Sequence, residues 1–230
     1  MITEKSLNGI YKLMSNVYEG NWQYRWHGTP HMSESLLANK KESILAHQLA
    51  CIGFWFNLRI VCPNLNKIVD SVKIYEIFWG HDLGEIFTGD VSQTMQINGV
   101  GLDKSNIERK EIIEISKAAP REISRILLHN FDLFEKNHKK INSIEVLICK
   151  LIDNIQGNHF AMVFGNDFKI NSDLINKVIN RSFMKAANRL LEVLNDTGNK
   201  KAYNEAKTVI EHHLRLINKS GVKVKLEKYK

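Results

Sequence analysis

The segment WGHDLGEIFTGD, residues 79–90, places an imidazole and a carboxylate side by side, His81 and Asp82, within a strongly apolar stretch. Burying such a pair costs free energy unless a partner satisfies both groups. Coordination of a divalent cation does so, because neutral imidazole and carboxylate suit zinc, manganese, iron, cobalt or magnesium-type ions. The pair alone is weak evidence, so the rest of the chain decides whether it belongs to a metal site.

Two further polar residues lie inside apolar segments. His47 is in ESILAHQLACIGFWFNL, residues 42–58, and Asp153 is in ICKLIDNI, residues 148–155. Taken singly, each is more simply a core residue satisfied by a neighbour. Together with His81 and Asp82 they provide four ligand-type side chains, which helical bundles commonly bring together from separate helices. The sequence therefore predicts a metal site made of His47, His81, Asp82 and Asp153.

Two carboxylates after the His-Asp pair are candidates for proton transfer. Glu85 follows Asp82 by three residues and His81 by four, so on a helix it shares their face. We expect Glu85 to act as the acid/base. Asp90 ends the Thr-Gly-Asp turn, where it could orient a second water, contact the substrate or assist proton transfer.

Apolar positions at spacings of three and four predict an all-α fold. No useful alternating pattern of a strand occurs, and residues 18–40 and 91–103 have the composition of loops. The segment 42–58 is apolar nearly all round, which indicates a helix that passes through the core. The sequence predicts a bundle of about seven to eight helices. The predicted helices cover residues 4–17, 42–58, 67–80, 104–118, 121–136, 141–164, 172–194 and 201–217.

Composition and charge indicate the compartment of the protein and the kind of ligand it binds. Three cysteines without a Cys-x-x-Cys pair are typical of buried thiols in a reducing compartment. We find no leader-type segment and no run of about 18 apolar residues, so we expect a cytoplasmic protein without a membrane partner. The net charge of +7 favours an anionic ligand. Much of the excess lies in the tail, residues 221–230, and not in one stripe, which argues against nucleic acid.

The order of His47, His81-Asp82 and Asp153 resembles the signature of HD-domain metal-dependent phosphohydrolases. The flanking residues resemble it as well: ESILAH (42–47) is similar to the block around the first ligand, and HDLGEIFTGD (81–90) to that of bacterial 5'-deoxynucleotidases. Arg25-Trp26 is similar to an upstream Arg-Trp pair of that subgroup. The chain departs from the pattern at Ala46, where an acidic residue is common, and at KLID (150–153), where KAAD is commoner.

The resemblance implies a function and a set of roles. It implies an HD-domain helical bundle that binds one divalent ion and possibly a second, with Arg25 holding phosphate or sugar and Trp26 shaping a nucleoside pocket. The implied substrates are (deoxy)nucleoside 5'-monophosphates, and the implied assembly is a homodimer. Two alternatives stay open: a deoxynucleoside triphosphate triphosphohydrolase, for instance one acting on dATP, and a non-catalytic nucleotide-binding protein.

The resemblance covers about residues 5–165 and divides the chain. We expect an HD phosphohydrolase core over residues 1–165 and a C-terminal helical extension, residues 166–230, packed on the same domain. Basic residues after the Thr-Gly-Asp turn, Lys104 among them, could contact further phosphates, but we expect them to face solvent. We expect His27, His31 and His159 and the pair His212-His213 to have no catalytic part.

Overall fold

The protein is an all-α bundle in the computed structural model, which describes residues 3–26, 29, 32, 41–97, 99, 101, 103–136, 138–165 and 171–224. Within these ranges it has no β-strand, only an isolated bridge between Tyr24 and Ser43. The predicted fold class is confirmed. The helices are α1 Glu4–Tyr18, α2 Ile44–Val61, α3 Ser71–Gly80, α4 Lys104–Ser116, α5 Arg121–Phe134, α6 Ile144–Phe164, α7 Ser172–Val178, α8 Met184–Asp196 and α9 Lys200–Lys219. Shorter helical segments are Glu19–Asn21, Pro63–Asn66, Glu85–Thr88, Gln93–Ile97 and His138–Lys140.

Side-chain caps set where the central helices begin. Ser43 accepts a hydrogen bond from the amide of Ala46 at the start of α2, and Ser143 does the same for Val146 at the start of α6. Helix α3 begins at Ser71, four residues later than the sequence predicts, because the carboxylate of Asp70 accepts from two amides of its first turn. Caps of this kind stabilise a helix by about 1 kcal/mol.

The His-Asp pair lies just after helix α3, whose end at Gly80 agrees with the predicted bound. Helix α3 ends at Gly80, residues 81–84 form a turn, and a new four-residue helix begins at Glu85. At Gly84 an added Cβ would lie 2.6 Å from the backbone oxygen of Glu108, so only glycine allows the turn to pack this closely on α4. The turn places His81 and Asp82 at the end of α3 rather than along its side.

Two buried apolar clusters flank this turn. The larger one joins α2, α3 and α6 to the C-terminal helices α7–α9 and includes Trp55, Phe78 and Phe183. The smaller one joins α1, α4 and α5 to the turn through Leu83 and to the short helix Glu85–Thr88 through Ile86. Because residues 175–222 share a core with residues 51–155, the C-terminal helices pack directly on the helices that hold the predicted ligands.

Helix α2 is only partly the core helix that its sequence predicts. Ile44, His47, Cys51 and Trp55 are buried, whereas Leu49, Phe56, Ile60 and Val61 are exposed. Its 18 residues, with a mean hydropathy of 1.4, are long and apolar enough by composition to cross a membrane, although four polar residues (His47, Gln48, Asn57 and Arg59) interrupt the apolar ones. Core helices of soluble proteins meet the same criterion.

The C-terminal helices contain an irregularity. A π-helical segment, Ile179–Phe183, joins α7 to α8 without a break. If α7, this segment and α8 are counted as one helix, the described part of the chain has eight helices of seven residues or more. The predicted number of about seven to eight helices is therefore confirmed.

His213 on α9 makes the stability of this bundle depend on pH. It is buried against Phe183, with ring centroids 5.0 Å apart, and its Nε2 lies 3.4 Å from Nδ2 of Asn158. Burial lowers the pKa of the imidazole from 6.5 to about 4. The unfolded chain takes up this proton at a higher pH than the folded protein, so stability is complete above pH 6.5 and falls as the pH drops towards 4. We expect a loss of up to about 3 kcal/mol from this group.

Substituting this histidine is expected to remove that part of the pH dependence. The free energy of unfolding in urea, measured from pH 7.5 down to about pH 4, should decrease less in His213→Leu than in the unsubstituted protein. His212→Leu, at the exposed neighbouring position, is the matched control and should follow the unsubstituted protein. Parallel curves for His213→Leu and the unsubstituted protein would show that His213 does not carry the effect.

Candidate metal centre

The structure brings the four predicted ligand residues together. Nε2 of His47 lies 3.1 Å from Oδ1 of Asp153, 3.3 Å from Oδ2 of Asp82 and 3.4 Å from Nε2 of His81. Nε2 of His81 lies 3.3 Å from Oδ2 of Asp82. The contributing elements are α2, the turn after α3, and α6. His47 and His81 are 34 residues apart along the chain, and Asp153 lies further on, so it is the folding of the bundle that brings these side chains to one point.

Hydrogen bonds at the far side of each ring indicate the tautomers. Nδ1 of His47 lies 2.5 Å from Oε1 of Gln156, and Nδ1 of His81 lies 3.0 Å from the carbonyl oxygen of Phe78. Both partners accept hydrogen bonds, so each Nδ1 carries the proton and donates it. The Nε2 lone pairs therefore point towards the carboxylates, which is the orientation that metal-ligating histidines usually have.

The spacing of these atoms fits a cation. Donor atoms that share an ion at about 2.1 Å lie about 3.0–3.4 Å apart, depending on the coordination angle. The observed separations of 3.1–3.4 Å match this range. Both imidazoles are buried, and without a cation or extra protons their lone pairs would face two carboxylates with no donor between them. The residues present thus fit a divalent ion.

Cys51 is a further buried donor that sequence reasoning left out of the site. One donor atom each from His47, Cys51, His81 and Asp153 lies within 4.8 Å of the others, so this buried group could hold a metal ion. Its sulfur is 3.7 Å from Nε2 and 3.9 Å from Nδ1 of His47, nearly equidistant from both nitrogens. It therefore lies beside the ring and not in front of Nε2, and burial raises the pKa of its thiol. We favour Asp82 over Cys51 as the fourth ligand.

A buried chain of hydrogen bonds connects His47 to Trp26. Gln156 accepts from His47 and donates through its Nε2 to Oε1 of Glu42, and Oε2 of Glu42 accepts from the indole Nε1 of Trp26 at 2.8 Å. Gln156 and Glu42 are 4% and 2% exposed, so neither has water as an alternative partner. The network fixes the His47 ring and the Trp26 ring relative to each other.

Removal of Gln156 is expected to weaken metal binding. In Gln156→Leu nothing holds the proton of His47 at Nδ1, and we expect a 10- to 100-fold loss of Mn²⁺ affinity, about the effect of removing such partners elsewhere. Competition with a fluorescent chelator measures it. Gln48→Leu is the matched control, because this buried glutamine of the same helix as His47 bonds to the Trp79 carbonyl instead. Equal affinities in both variants would contradict the role given to Gln156.

Arg25 and Trp26 lie beside the ligands, held in place by the segment before α2. The amide of Arg25 donates to the Glu42 carbonyl at 2.9 Å. Nη1 of Arg25 is 3.9 Å from Oε2 of Glu42, but its Nε and Nη1 are buried without a hydrogen-bond partner in the described part of the chain. A buried guanidinium with unused donors suits an anionic ligand.

Asp90 has a structural role that the sequence did not indicate. Its Oδ2 accepts the backbone N–H of Trp26 at 3.0 Å. Trp26 has a φ of 77°, a left-handed conformation that is strained for a bulky residue and that persists only where the surroundings impose it. The Asp90 bond and the stacking of the indole on Phe160, at 6.0 Å and 8° between planes, impose it here.

Glu85 and Lys104 form a buried ion pair. The ammonium of Lys104 lies 2.7 Å from Oε1 of Glu85 and 2.5 Å from Oε1 of Glu108. The expectation that Lys104 faces solvent is therefore wrong. Burial and the charge of Asp82 raise the pKa of Glu85 well above its ordinary value, and Lys104 offsets this only in part. Oε2 of Glu85 is buried without a partner among the described residues, so one oxygen stays available for a proton.

These groups surround a pocket of about 420 Å³. This volume lies within the range of about 300–1,000 Å³ that small-molecule sites have. Among the residues that line it are Arg25, Trp26, Asp82, Glu85, Asp90, Lys104, Lys150, Asp153, Asn154, Asn158, Arg181 and Ser182. Sequence reasoning missed Lys150, which is 8% exposed, lies 4.4 Å above the Phe134 ring and has no carboxylate partner in the described part of the chain. Its position three residues before Asp153 on the same helix is the signal that could have found it.

The histidines that we expected to have no catalytic part lie outside the pocket or outside the described residues. His27 and His31 are outside the described residues. His159 and His212 are exposed, and His213 is the core residue described above. None of these three lines the pocket. Comparisons with family models, with curated proteins and with solved structures find no match for this chain.

Proposed function

We propose that this protein is a metal-dependent phosphohydrolase that cleaves the phosphate ester of a nucleotide. The observation that carries the proposal is the convergence of two imidazole Nε2 atoms and two carboxylates, 3.1–3.4 Å apart, at a pocket that also holds buried cations without full partners. A divalent cation in such a ligand set, together with cationic side chains beside it, matches an anionic substrate that reacts with water.

His47, His81, Asp82 and Asp153 would hold the ion. A divalent cation bound there supplies Lewis acidity, which lowers the pKa of a coordinated water and polarises a phosphoryl oxygen. Cobalt, manganese, zinc, iron and magnesium are all compatible with two nitrogen and two oxygen ligands. Gln156 keeps the His47 lone pair on the side of the ion.

Arg25 binds the phosphate in this proposal. Its unused donors offer a planar fork to two phosphate oxygens, and its burial makes that interaction stronger than one in water. Lys150 is a second buried cation in the same pocket and compensates further negative charge. Neither side chain has to be pulled from a complete ion pair before it can bind the substrate.

Glu85 moves the proton. The leaving oxygen of the ester must be protonated when its bond to phosphorus breaks, and a carboxyl group with a raised pKa is a suitable donor near neutral pH. Lys104 holds Oε1, so Oε2 is the oxygen that exchanges the proton. Trp26 supplies an aromatic surface for the nucleoside, and stacking on such a ring is worth about 1–3 kcal/mol per base.

A substrate screen tests the proposal. The protein is stripped of metal, reloaded separately with Mn²⁺, Co²⁺, Zn²⁺ or Mg²⁺, and incubated with each ribo- and deoxyribonucleoside mono- and triphosphate. Orthophosphate and tripolyphosphate are detected separately by ion chromatography. We expect metal-dependent release of one of them. Nucleotide binding without turnover under every metal would instead identify a non-catalytic nucleotide-binding protein and overturn the proposal.

A further inference from the structure

One wall of the pocket comes from the C-terminal part of the chain, which the sequence left without a function. Ile175, Val178, Arg181 and Ser182 line the same pocket as Asp82 and Asp153. On α6 the lining residues Asp153, Asn154, Gly157 and Asn158 share one helix face. The pocket thus lies against both α6 and the α7–α8 helix, and it is incomplete without the C-terminal segment.

The π-helical segment Ile179–Phe183 forms the part of this wall at the level of the metal ligands. Single π turns inside α-helices occur frequently at functional sites. The hydroxyl of Ser182 donates to Oδ1 of Asn154, the residue next to Asp153. Nδ2 of Asn154 in turn donates to the Lys150 carbonyl at 2.7 Å. These bonds fix the π turn beside the proposed ligand Asp153.

Arg181 and Arg25 occupy different electrostatic positions in the pocket. Nε and Nη1 of Arg25 are buried, and its side chain lines the pocket together with Asp82 and Asp153. Arg181 is exposed and has no carboxylate partner in the described part of the chain. The pocket therefore has an inner cationic position, formed by Arg25 and Lys150, and an outer cation, Arg181, that forms no ion pair with a described residue.

We propose that Arg181 is an anion subsite for the phosphates beyond the one that is attacked, so that the substrate is a nucleoside polyphosphate. A monophosphate has one anionic group, which the inner position neutralises, whereas a di- or triphosphate extends to the outer one. This inference rests on the proposed function. Water adds to the α-phosphorus, the bond to the 5' oxygen breaks, that oxygen takes a proton, and for a triphosphate the product is tripolyphosphate. This proposal favours the triphosphate alternative over the monophosphate that the sequence resemblance implies.

Arg181→Gln tests this subsite, with Lys185→Gln as the matched control. Lys185 is an exposed cation on the same helix that does not line the pocket. We expect kcat/KM for the best deoxynucleoside triphosphate to fall at least about tenfold in Arg181→Gln, the loss of one charge-assisted contact. For the corresponding monophosphate it should fall less than about threefold, a difference below 1 kcal/mol. Lys185→Gln should change neither.

A binding measurement separates this inference from the proposed function. Titration calorimetry with tripolyphosphate and with orthophosphate, on the Mn²⁺-loaded protein, needs no turnover. Tripolyphosphate should bind the unsubstituted protein more tightly than orthophosphate, and Arg181→Gln should lose most of that difference. If nucleotides are hydrolysed but Arg181→Gln affects mono- and triphosphates equally, the subsite is wrong and the function stands. If nothing is hydrolysed but the tripolyphosphate preference depends on Arg181, the function is wrong and the subsite stands.

Discussion

Asp82→Ala is expected to lower kcat/KM by at least about a thousandfold, the equivalent of roughly 4 kcal/mol of transition-state stabilisation. Among the described residues, Asp82 is the only one with an oxygen 3.3 Å from both imidazole Nε2 atoms. Its loss therefore removes the ligand that lies next to both histidines. We expect the purified variant to contain little metal, measured by inductively coupled plasma mass spectrometry. Helical content, measured by circular dichroism, should not change, because Asp82 lies in a turn.

Thermal stability gives a second readout of the same variant. Saturating Mn²⁺ should raise the melting temperature of the unsubstituted protein, because a ligand at 100 times its Kd stabilises by about 2.7 kcal/mol. The same addition should have little effect on Asp82→Ala. Asp132→Ala, which removes a partly exposed carboxylate paired with Arg109, is the control. Full activity in Asp82→Ala would end the metal-site hypothesis.

Most of the helices could be predicted from the local spacing of apolar residues in the sequence. Apolar residues spaced three and four positions apart predicted helices close to α1, α2, α4, α5, α6 and α9. This worked because the apolar stripe on which each helix packs is visible in the sequence. The helix end at Gly80 was predicted, but the turn over residues 81–84 was not, since it depends on close packing of Gly84 against α4, a contact with no local signature. The exposed face of α2 was missed for a related reason: an apolar residue does not reveal what covers it.

The site was predictable where single residues are chemically costly to bury. His47, His81, Asp82 and Asp153 stood out as ligand-type groups in apolar surroundings, and the structure brings them together. Gln156 and Lys150 carried a weaker signal, each three residues from Asp153 on one helix. Arg181 could not be found in this way. Its place in the pocket depends on a π turn and on the packing of the C-terminal helices, neither of which is encoded in a short motif.

Glu85→Gln is expected to keep the metal and lower kcat on nucleotides by about 10²–10⁴, the usual contribution of general acid–base catalysis. The amide preserves the size of the side chain but cannot donate a carboxyl proton to the leaving oxygen. An aryl phosphate such as p-nitrophenyl phosphate leaves without protonation, so its turnover should fall far less. A loss of the same size on both substrates would point to a positioning role for Glu85.

Glu108→Gln shows whether the loss belongs to Glu85 itself or to Lys104. Glu108 is buried and bonds to the same ammonium, at 2.5 Å, but does not line the pocket. Its pKa is raised to about 7, mainly by burial, so near neutral pH the amide replaces a group that is already partly protonated. We therefore expect a fall in kcat below about tenfold, less than the loss of an acid/base group causes. Equal losses in Glu85→Gln and Glu108→Gln would mean that both act by holding Lys104, and the proton would then have to come from another group in the pocket.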